Sequence, residues 1–321
     1  MHVVIVQFEP VPVKLYGGTE RVIVALAQGL LTLGHKVTLL SLPGDYTLSG
    51  VNFINLEQLG SKACDGISFK ALIPKDADLL HFNLAIALDQ LDLPCPYVCT
   101  IHGNLGESED LGRLPLNSIF VSSDHAKRHG RNSYVYNGLI GSQIPCSSLK
   151  LFERNYFSFL GRVSLRRKGA KGAKRLAKQL MTPLWIGGGR GLSLTSAVRY
   201  LGHLDDQQKF ELLAGAKGLL FPILWDEPFG LVMIEALFSG TPVFALSRGS
   251  VPEVLGQQGA TPAIGGFADN EEELLELIKD YDYASDPQEI CSYANTHFDH
   301  IQMSKRYLYY YQLVSSGEQL S

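Results

Sequence analysis

The sequence predicts an α/β protein made of two doubly wound domains. Its 321 residues exceed the usual size of one domain, which is roughly 150 residues. Short β-branched runs alternate with longer amphipathic patterns along the chain, as they do in parallel βαβ units. Residues 141–148 are rich in turn formers and lack periodicity, so we expect the boundary between the domains there.

The first half contains six predicted strands and one clear crossover helix. The helix begins after Thr19 as its N-cap, places Ile23, Leu26 and Leu30 on one face, and ends at Gly34. The predicted strands are Val3–Phe8, Lys36–Leu42, Leu79–Phe82, Tyr97–Ile101, Ser118–Val121 and Tyr134–Tyr136.

The second half repeats the alternation with five predicted strands. A helix capped by Asn270 runs to Asp280, and an aromatic helix covers about Met303 to Leu313. The predicted strands are Tyr156–Leu160, Leu184–Ile186, Arg199–Leu201, Gly218–Phe221 and Pro242–Ala245. Open α/β sheets bind ligands at the carboxyl ends of their strands, so functional residues are expected on the loops that follow strands.

Charge and cysteine content exclude several classes of protein. Lys and Arg number 28 against 32 Asp and Glu, a net charge of −4, which gives no global field for nucleic acid or an anionic membrane. The longest uncharged apolar stretch, residues 22–35, is too short to span a bilayer. Five cysteines without a Cys-x-x-Cys pair indicate reduced thiols, and a cytoplasmic location follows.

Two carboxylates eight residues apart flank a Pro-Phe-Gly turn. Glu227 lies in the loop after a strand, and the helix that follows presents the amides of Phe229, Gly230 and Leu231, which favour an anion such as phosphate. Glu235 lies inside that helix among apolar neighbours and therefore needs hydrogen-bond donors. A ribose diol would supply them, but a salt bridge to a neighbouring element is an equally good interpretation.

The second polar segment is basic. Arg162 follows a strand and a glycine, and Lys168 comes six residues later; a fixed guanidinium fork and a mobile ammonium could together neutralise a diphosphate. Eight basic residues and no acidic one lie between Arg162 and Lys178. The others, including Arg167 and Lys171, are expected to form a solvated helix face.

The first predicted strand is followed by a glycine pair, and a later strand is followed by a histidine. Gly17 and Gly18 allow a ligand to approach the backbone closely, but the segment lacks the Gly-x-Gly-x-x-Gly pattern of nicotinamide-binding folds. His102 should point towards ligand, whereas His81 should pack inside. His125 and His129 lie four apart on a predicted helix, yet no third ligand completes a metal site.

Taken in order, these segments resemble the retaining glycosyltransferases of family four, which have the GT-B fold of two Rossmann-like domains facing across a cleft. Glu227 and Glu235 match the E-x7-E motif of that family. Gly161-Arg162 with Lys168-Gly169 matches its diphosphate-binding motif, and the segment 17–20 matches its glycine loop. Residues 298–313 look like the family's helix that crosses back to the first domain.

The resemblance implies a nucleotide-sugar donor, a UDP-sugar such as UDP-glucose ahead of a GDP-sugar, and transfer of a hexose with retention and without metal or cofactor. Residues 1–145 would bind the acceptor, a small molecule or a glycan; residues 146–298 would bind the donor, and residues 299–321 would cross back. The implied roles are diphosphate binding for Arg162 and Lys168, ribose for Glu235, phosphate for Gly18 and substrate binding for Gly17. The donor sugar would be held by Glu227, His102 and the amides of Phe229, Gly230 and Leu231.

Two other functions fit the same residues. A nucleotide-sugar epimerase of the same fold would use the same diphosphate site, and a non-catalytic nucleotide-sugar-binding protein would keep the site without turnover. Residues 1–150 carry 11 basic and 13 acidic residues, so weak or absent membrane association is expected.

Overall fold

The computed structural model describes residues 1–13, 17–58, 68–83, 88–105, 114–191, 196–257 and 260–320. The chain divides into two compact units. The N-terminal unit comprises Met1–Leu139 and His300–Ser321, and the C-terminal unit comprises Ile140–Asp299. The first division thus lies six residues before the expected one at 145, and the second lies one residue after the expected one at 298.

The N-terminal unit is built on a parallel sheet of six strands in the order β3-β2-β1-β4-β5-β6. This is the doubly wound Rossmann order. The strands are β1 (His2–Val11), β2 (Lys36–Pro43), β3 (Asn52–Asn55), β4 (Leu79–Phe82), β5 (Tyr97–Ile101) and β6 (Ser118–Phe120). The helices of this unit are α1 (Gly18–Thr32), α2 (Ser123–Arg128) and the C-terminal α9 (His300–Ser315).

The C-terminal unit repeats that topology with a second parallel sheet, in the order β12-β11-β10-β7-β8-β9. Its strands are β7 (Phe157–Leu160), β8 (Leu184–Gly187), β9 (Val198–Gly202), β10 (Leu219–Phe221), β11 (Val243–Leu246) and β12 (Gly265–Ala268). Its helices are α3 (Ala170–Gln179), α4 (Asp206–Ala214), α5 (Leu231–Phe238), α6 (Val251–Leu255), α7 (Glu271–Asp280) and α8 (Pro287–Phe298). The predicted fold class, two doubly wound α/β sheets, is confirmed.

Hydrophobic side chains from each sheet and its helices form the cores. In the N-terminal unit, Val4, Leu80 and Phe82 are fully buried; in the C-terminal unit, Leu176, Ile186 and Phe244 are fully buried. At roughly 1.5–3 kcal/mol for each large apolar side chain taken from water, this burial is the main favourable contribution to folding.

Helix α1 packs against α9 within the N-terminal unit. A side chain at Gly29 of α1 would overlap the Ser304 hydroxyl of α9, so a glycine permits the close approach. The predicted capping of α1 by Thr19 is wrong, because the helix begins at Gly18 with Gly17 as its N-cap. The predicted cap of α7 is confirmed, since the Asn270 side chain accepts from the amides of Glu272 and Glu273.

Three strand assignments were wrong. Residues 134–136 do not form a strand; Tyr134 makes only an isolated bridge to Phe120. The edge strands β3 and β12 were missed because neither sequence looks like a strand: β3 reads Asn-Phe-Ile-Asn, and β12 begins with two glycines. Gly265 has a φ of +92° and lies against the backbone of the neighbouring Val243, which explains why glycine occupies a strand position.

The prediction of five reduced cysteines is wrong for one pair. Cys146 and Cys291 form a disulfide within the C-terminal unit, with Cα atoms 6.2 Å apart. They are separated by 145 residues, so only the tertiary fold brings them together. Neither Cys95 nor Cys99 is part of a disulfide, and Cys64 lies outside the described residues. The cytoplasmic location was expected because all five cysteines were predicted to be reduced. Since two of them form a disulfide, the cysteines no longer support that location.

Candidate active site

Two loops at the carboxyl edge of the second sheet carry half of the predicted site residues. β7 and β10 are parallel neighbours, with Ser158 opposite Leu219. The β7 loop, residues 161–169, follows the first strand, and the β10 loop, residues 222–230, follows the second. Because carboxyl ends of neighbouring parallel strands share one edge, the loops lie side by side where open α/β sheets bind ligands.

Backbone contacts fix the two loops to each other. The amide of Leu224 donates to the carbonyl of Arg167 at 2.9 Å. Gly169 has a φ of +84°, and a side chain there would overlap the carbonyl oxygen of Pro222. A residue with a Cβ is therefore disfavoured both by its conformation and by the close approach of the β10 loop.

This arrangement brings Lys168 and Glu227 into direct contact. The ammonium of Lys168 donates to Oε2 of Glu227 at 2.7 Å. Their side chains are 24% and 11% exposed, so the pair is partly shielded but still reachable from solvent. The structure thus places one of the two predicted diphosphate cations beside the carboxylate predicted to hold the donor sugar.

Arg162, the other predicted diphosphate cation, lies at the start of the same β7 loop. Its side chain is exposed, and its carbonyl accepts from the amide of Leu165 at 3.1 Å. A Cβ built on the preceding Gly161 would lie 3.9 Å from Cβ of Lys168, so the two ends of the loop approach each other.

Trp225 is a site residue that the sequence analysis did not assign. Its indole N–H donates to Oε2 of Glu227 at 2.7 Å, the same oxygen that Lys168 contacts. The ring also lies under two cations: Cζ of Arg167 is 4.5 Å from the ring centroid, and Nζ of Lys168 is 4.8 Å from it. An aromatic residue two positions before the carboxylate was the only signal in the sequence.

A third loop, residues 247–250 after β11, supports the backbone of the β10 loop. The amide of Ser250 donates to the carbonyl of Glu227 at 3.0 Å, and its hydroxyl donates to the carbonyl of Phe229 at 2.9 Å. Gly249 has a φ of +58°, and any side chain there would overlap the backbone of Glu227. The backbone of Glu227 is consequently held from two sides.

Helix α5 begins directly after this support, as the sequence predicts. Gly230 is its N-cap with a φ of +78°, and Leu231 is its first residue. A Cβ on Gly230 would lie 3.3 Å from Cγ of Glu227, so the helix start and the carboxylate are adjacent. The phosphate seat at the amides of Phe229, Gly230 and Leu231 stays a prediction.

Glu235 is buried within α5 and forms an ion pair. Its Oε1 lies 2.6 Å from Nζ of Lys209 on α4, and each side chain is only 6% exposed. Lys209 also contacts Asp206 at 2.9 Å. The second interpretation of Glu235, a salt bridge to a neighbouring element, is therefore present in the structure. Lys209 was not assigned, since nothing in the sequence distinguishes it from the solvated lysines.

The two glycines of the predicted glycine loop lie at the start of α1. The carbonyl of Gly17 accepts the amide of Arg21 at 3.3 Å, and a side chain at Gly17 would overlap the Glu20 carboxylate. Gly18 is the first residue of the helix. Tyr16, which precedes the pair, lies outside the described residues.

His102 follows β5 in the N-terminal unit, as predicted. Its Nε2 lies 2.9 Å from Oδ1 of Asn83, the residue that follows the neighbouring strand β4. Burial lowers the pKa of His102 to about 4, so the imidazole is neutral at pH 7. A neutral imidazole can donate one hydrogen bond and accept another, which suits contact with sugar hydroxyls.

The other histidines of this unit have structural partners. His81 is fully buried, with Nδ1 2.6 Å from the Tyr311 hydroxyl and Nε2 2.8 Å from the Thr100 hydroxyl, which confirms its predicted internal position. Nδ1 of His129 lies 2.8 Å from the carbonyl of His125, and their rings pack edge to face. Among the described residues, no three His, Cys, Asp or Glu side chains are grouped to hold a metal ion.

Comparison with known proteins gives the family of the second unit. Residues 154–280 match the family model of the glycosyl transferases of group 1. This segment is a group 1 glycosyl transferase domain. It contains the β7 and β10 loops and the start of α5. Seven predicted residues therefore lie in the glycosyl transferase domain: Arg162, Lys168, Glu227, Phe229, Gly230, Leu231 and Glu235. Gly17, Gly18 and His102 lie outside the matched segment.

Several curated relatives of the chain are mannosyltransferases, and others are glycogen synthases. The chain is 30% identical over 182 residues to the phosphatidyl-myo-inositol mannosyltransferase of Propionibacterium freudenreichii, an alignment covering 51% of this chain and 48% of the relative. It is 26% identical over 291 residues to the Mycolicibacterium smegmatis protein of the same name, covering 74% and 75%. The chain thus spans about half the length of the first relative. The resemblance to family-four glycosyltransferases is confirmed.

Solved structures show the same fold over the whole chain. AviGT4, a glycosyltransferase involved in avilamycin A biosynthesis, has a TM-score of 0.79 at 21% identity and covers 100% of this chain and 99% of its own. The sucrose-phosphate synthase of Thermosynechococcus elongatus has a TM-score of 0.74 at 18% identity, covering 99% and 100%. Anabaena HepE in complex with UDP-glucose has a TM-score of 0.70 at 16% identity, covering 98% and 100%. The glycosyl transferase domain is therefore one half of a GT-B fold.

Among the described residues, no helix is both long enough and apolar enough to cross a membrane.

Proposed function

We propose that this protein transfers a hexose from a nucleotide-diphosphate sugar to a hydroxyl of an acceptor, with retention of configuration at the anomeric carbon. The observation that carries the proposal is the contact between Lys168 and Glu227, 2.7 Å apart on the facing β7 and β10 loops of a group 1 glycosyl transferase domain. A cation and a carboxylate held at one sheet edge can bind a charged phosphate group and a hydroxyl-rich sugar side by side.

The cations would act on the leaving group. As the bond between C1 and the phosphate oxygen breaks, its electron pair passes to the diphosphate, and Lys168 and Arg162 stabilise the added negative charge. Cations held in place before the reaction lower the barrier more than they stabilise the bound donor. Losing one such group typically costs about 3 kcal/mol, roughly a hundredfold in rate.

Transfer with retention would proceed on the front face of the sugar. The acceptor oxygen forms its bond to C1 on the side that the diphosphate leaves, and the acceptor proton passes to the departing phosphate oxygen. In this scheme the protein supplies charge and position, and neither a metal ion nor a cofactor takes part. Addition of a chelator should leave the rate unchanged.

The remaining residues would position the substrates. Glu227 and the amides at the start of α5 would hold the donor sugar, and Glu235 the ribose. The N-terminal unit would bind the acceptor, a small molecule or a glycan, with Gly17 and Gly18 near phosphate and His102 at the sugar edge. The neutral state of His102, whose pKa burial lowers to about 4, suits hydrogen bonding to a hydroxyl.

The donor class is narrowed by relatives and structural neighbours. HepE was solved with UDP and with UDP-glucose, which supports a UDP-hexose as donor. Several curated relatives are mannosyltransferases, so GDP-mannose is the alternative to test. A cytoplasmic location is also part of the proposal.

The test is a donor and acceptor screen with matched variants. The protein is incubated with UDP-glucose, GDP-mannose or ADP-glucose and a panel of hydroxyl acceptors, while nucleoside diphosphate release and the anomeric configuration of the product are measured. Lys168→Ala and Glu227→Ala should each lower the rate about a hundredfold. Lys178→Ala, which removes an exposed lysine of α3, should not.

Each alternative outcome has its own meaning in this screen. Wild-type rates in both Lys168→Ala and Glu227→Ala would refute the proposal. An epimeric sugar formed without acceptor would indicate an epimerase. Binding of nucleotide sugar without any product would indicate a binding protein.

A further inference from the structure

Trp225 contacts both members of the Lys168–Glu227 ion pair. The indole N–H donates to Oε2 of Glu227 at 2.7 Å, and the ammonium of Lys168 lies 4.8 Å from the ring centroid. Lys168 also donates to Oε2 of Glu227 at 2.7 Å. The three groups form a closed triangle in which each contacts the other two.

This triangle distinguishes Trp225 from the other tryptophan of the chain. Trp185 also lies under a cation, with Cζ of Arg199 4.9 Å from its ring, but its ring stacks on Tyr156 at 3.9 Å. Trp185 therefore packs against Tyr156 and Arg199, whereas Trp225 contacts Glu227 and Lys168 of the candidate site. The β7 and β10 loops hold Trp225 in place, because the adjacent Leu224 amide is bonded to the carbonyl of Arg167.

Binding of a diphosphate would change one side of the triangle. The phosphate oxygens compete with Glu227 for the ammonium of Lys168, because both are anions. If Lys168 moves to the phosphate, Oε2 of Glu227 keeps the indole N–H as a donor. The ring face remains beside the ammonium and attracts it, since an aromatic face favours a nearby cation.

We infer that Trp225 is a positioning residue for the donor site, which rests on the proposed function. Its N–H holds the Glu227 carboxylate in place for the sugar while Lys168 binds the diphosphate. Its ring keeps the Lys168 ammonium close to where the diphosphate binds. Trp225 takes no part in bond breaking, and its two roles use different parts of the side chain.

Two substitutions separate these roles. Trp225→Phe keeps a ring face and removes the N–H, so UDP or GDP should bind within about twofold of the wild type while kcat falls about tenfold, as expected for loss of a hydrogen bond to a charged group. Trp225→Leu removes both, so kcat should fall and the Kd for UDP or GDP should rise about threefold to fivefold, the usual range for a cation on a ring. Trp185→Phe, the matched control, should change neither value.

Fluorescence provides an independent readout of nucleotide binding beside Trp225, and the split between kcat and Kd in the two variants separates positioning from a merely structural role. In the Trp185→Phe variant, Trp225 is the remaining tryptophan, since the chain has two. Addition of UDP or GDP should change its emission, because the ammonium beside the indole moves. Thermal melting of each variant is measured in parallel.

The outcomes separate this inference from the proposed function. If the wild type binds none of UDP, GDP and ADP and cleaves no donor, the proposed function fails and the inference fails with it. If the wild type binds and turns over, but both Trp225 variants match it within twofold, the inference alone is wrong. Equal losses of kcat and binding in Trp225→Phe, together with a lowered melting temperature, would also overturn it.

Discussion

Lys209 and Glu235 hold opposite charges 2.6 Å apart inside the C-terminal unit, with each side chain only 6% exposed. Glu235 is also the carboxylate that the family resemblance assigns to ribose. A ribose hydroxyl would therefore meet a carboxylate already held by a protein cation. Removing two charges from water is expensive, and such a pair is retained only where its geometry is good.

We predict that Lys209→Met destabilises the protein by about 3–5 kcal/mol, because it leaves the Glu235 carboxylate buried without its cation. The measurement is urea-induced unfolding of the wild type and the variant. The double variant Lys209→Met with Glu235→Met should recover most of the loss, since it removes both charges.

The matched control for this prediction is an exposed ion pair. Lys279 and Glu276 lie 2.7 Å apart, with side chains 47% and 64% exposed. Exposed pairs contribute about 0–1 kcal/mol, so Lys279→Met should cost no more than that. Equal losses in Lys209→Met and Lys279→Met would contradict the burial argument.

Gly169→Ala should impair the diphosphate site without touching a charged group. The substitution places a Cβ at a φ of +84° and against the carbonyl of Pro222, so the β7 and β10 loops must move apart. We expect a loss of about 1–3 kcal/mol in unfolding free energy and weaker UDP or GDP binding in calorimetry.

Gly34→Ala is the control that isolates backbone strain. Gly34 has a φ of +83°, and a Cβ there would meet no atom within 4 Å. The Gly34→Ala variant should lose only the conformational cost, about 1–2 kcal/mol of unfolding free energy, and should bind nucleotide as the wild type does. If Gly169→Ala binds UDP and GDP as the wild type does, the close contact with Pro222 does not position Lys168.

The sequence predicted most of the fold because the buried strands are short apolar runs and helices such as α1 and α7 have a periodic apolar face. It failed at β3 and β12, where edge strands contain Asn or Gly and lack that pattern. It also identified Lys168 and Glu227, because both follow strands that a doubly wound sheet places side by side. Family resemblance supplied their roles.

The missed residues depend on contacts between distant segments. Lys209 lies in a helix with no distinguishing pattern, and only folding brings it to Glu235, 26 residues later. Trp225 was visible beside Glu227, but its orientation over Lys168 depends on how two loops pack. Local sequence carries no information on such contacts, so they could not be predicted.

Stability should fall as the pH is lowered from 7 to 5.5. Burial lowers the pKa of His81 to about 3, of His102 to about 4 and of His125 to about 3, from a model-peptide value of 6.5. Below pH 6.5 the unfolded chain therefore binds protons that the folded chain does not. The stabilising effect of the neutral histidines is complete above pH 6.5 and is lost as the pH falls towards 4.

The size of this effect is about 1 kcal/mol per histidine between pH 7 and 5.5. His81 is the best test, because its ring is fully buried between Tyr311 and Thr100. His81→Gln should lower the free energy of unfolding at pH 7. It should also reduce the loss of that free energy between pH 7 and 5.5 by about 1 kcal/mol, the contribution of one histidine. Urea unfolding at both pH values measures this; an unchanged slope in the variant would show that His81 does not contribute.

The Cys146–Cys291 disulfide should stabilise the C-terminal unit. It joins the segment at the start of the unit to helix α8 near its end, across 145 residues. A cross-link over so long a loop restricts the unfolded chain, and removing it should cost about 2–4 kcal/mol.

The paired variant Cys146→Ser with Cys291→Ser should unfold at lower urea concentration than the oxidised wild type. A phosphine reductant should lower the wild type to the same value and leave the paired variant unchanged. Thiol titration in denaturant should find two more thiols in the wild type after reduction, and an equal count before and after would show that the pair is not bonded.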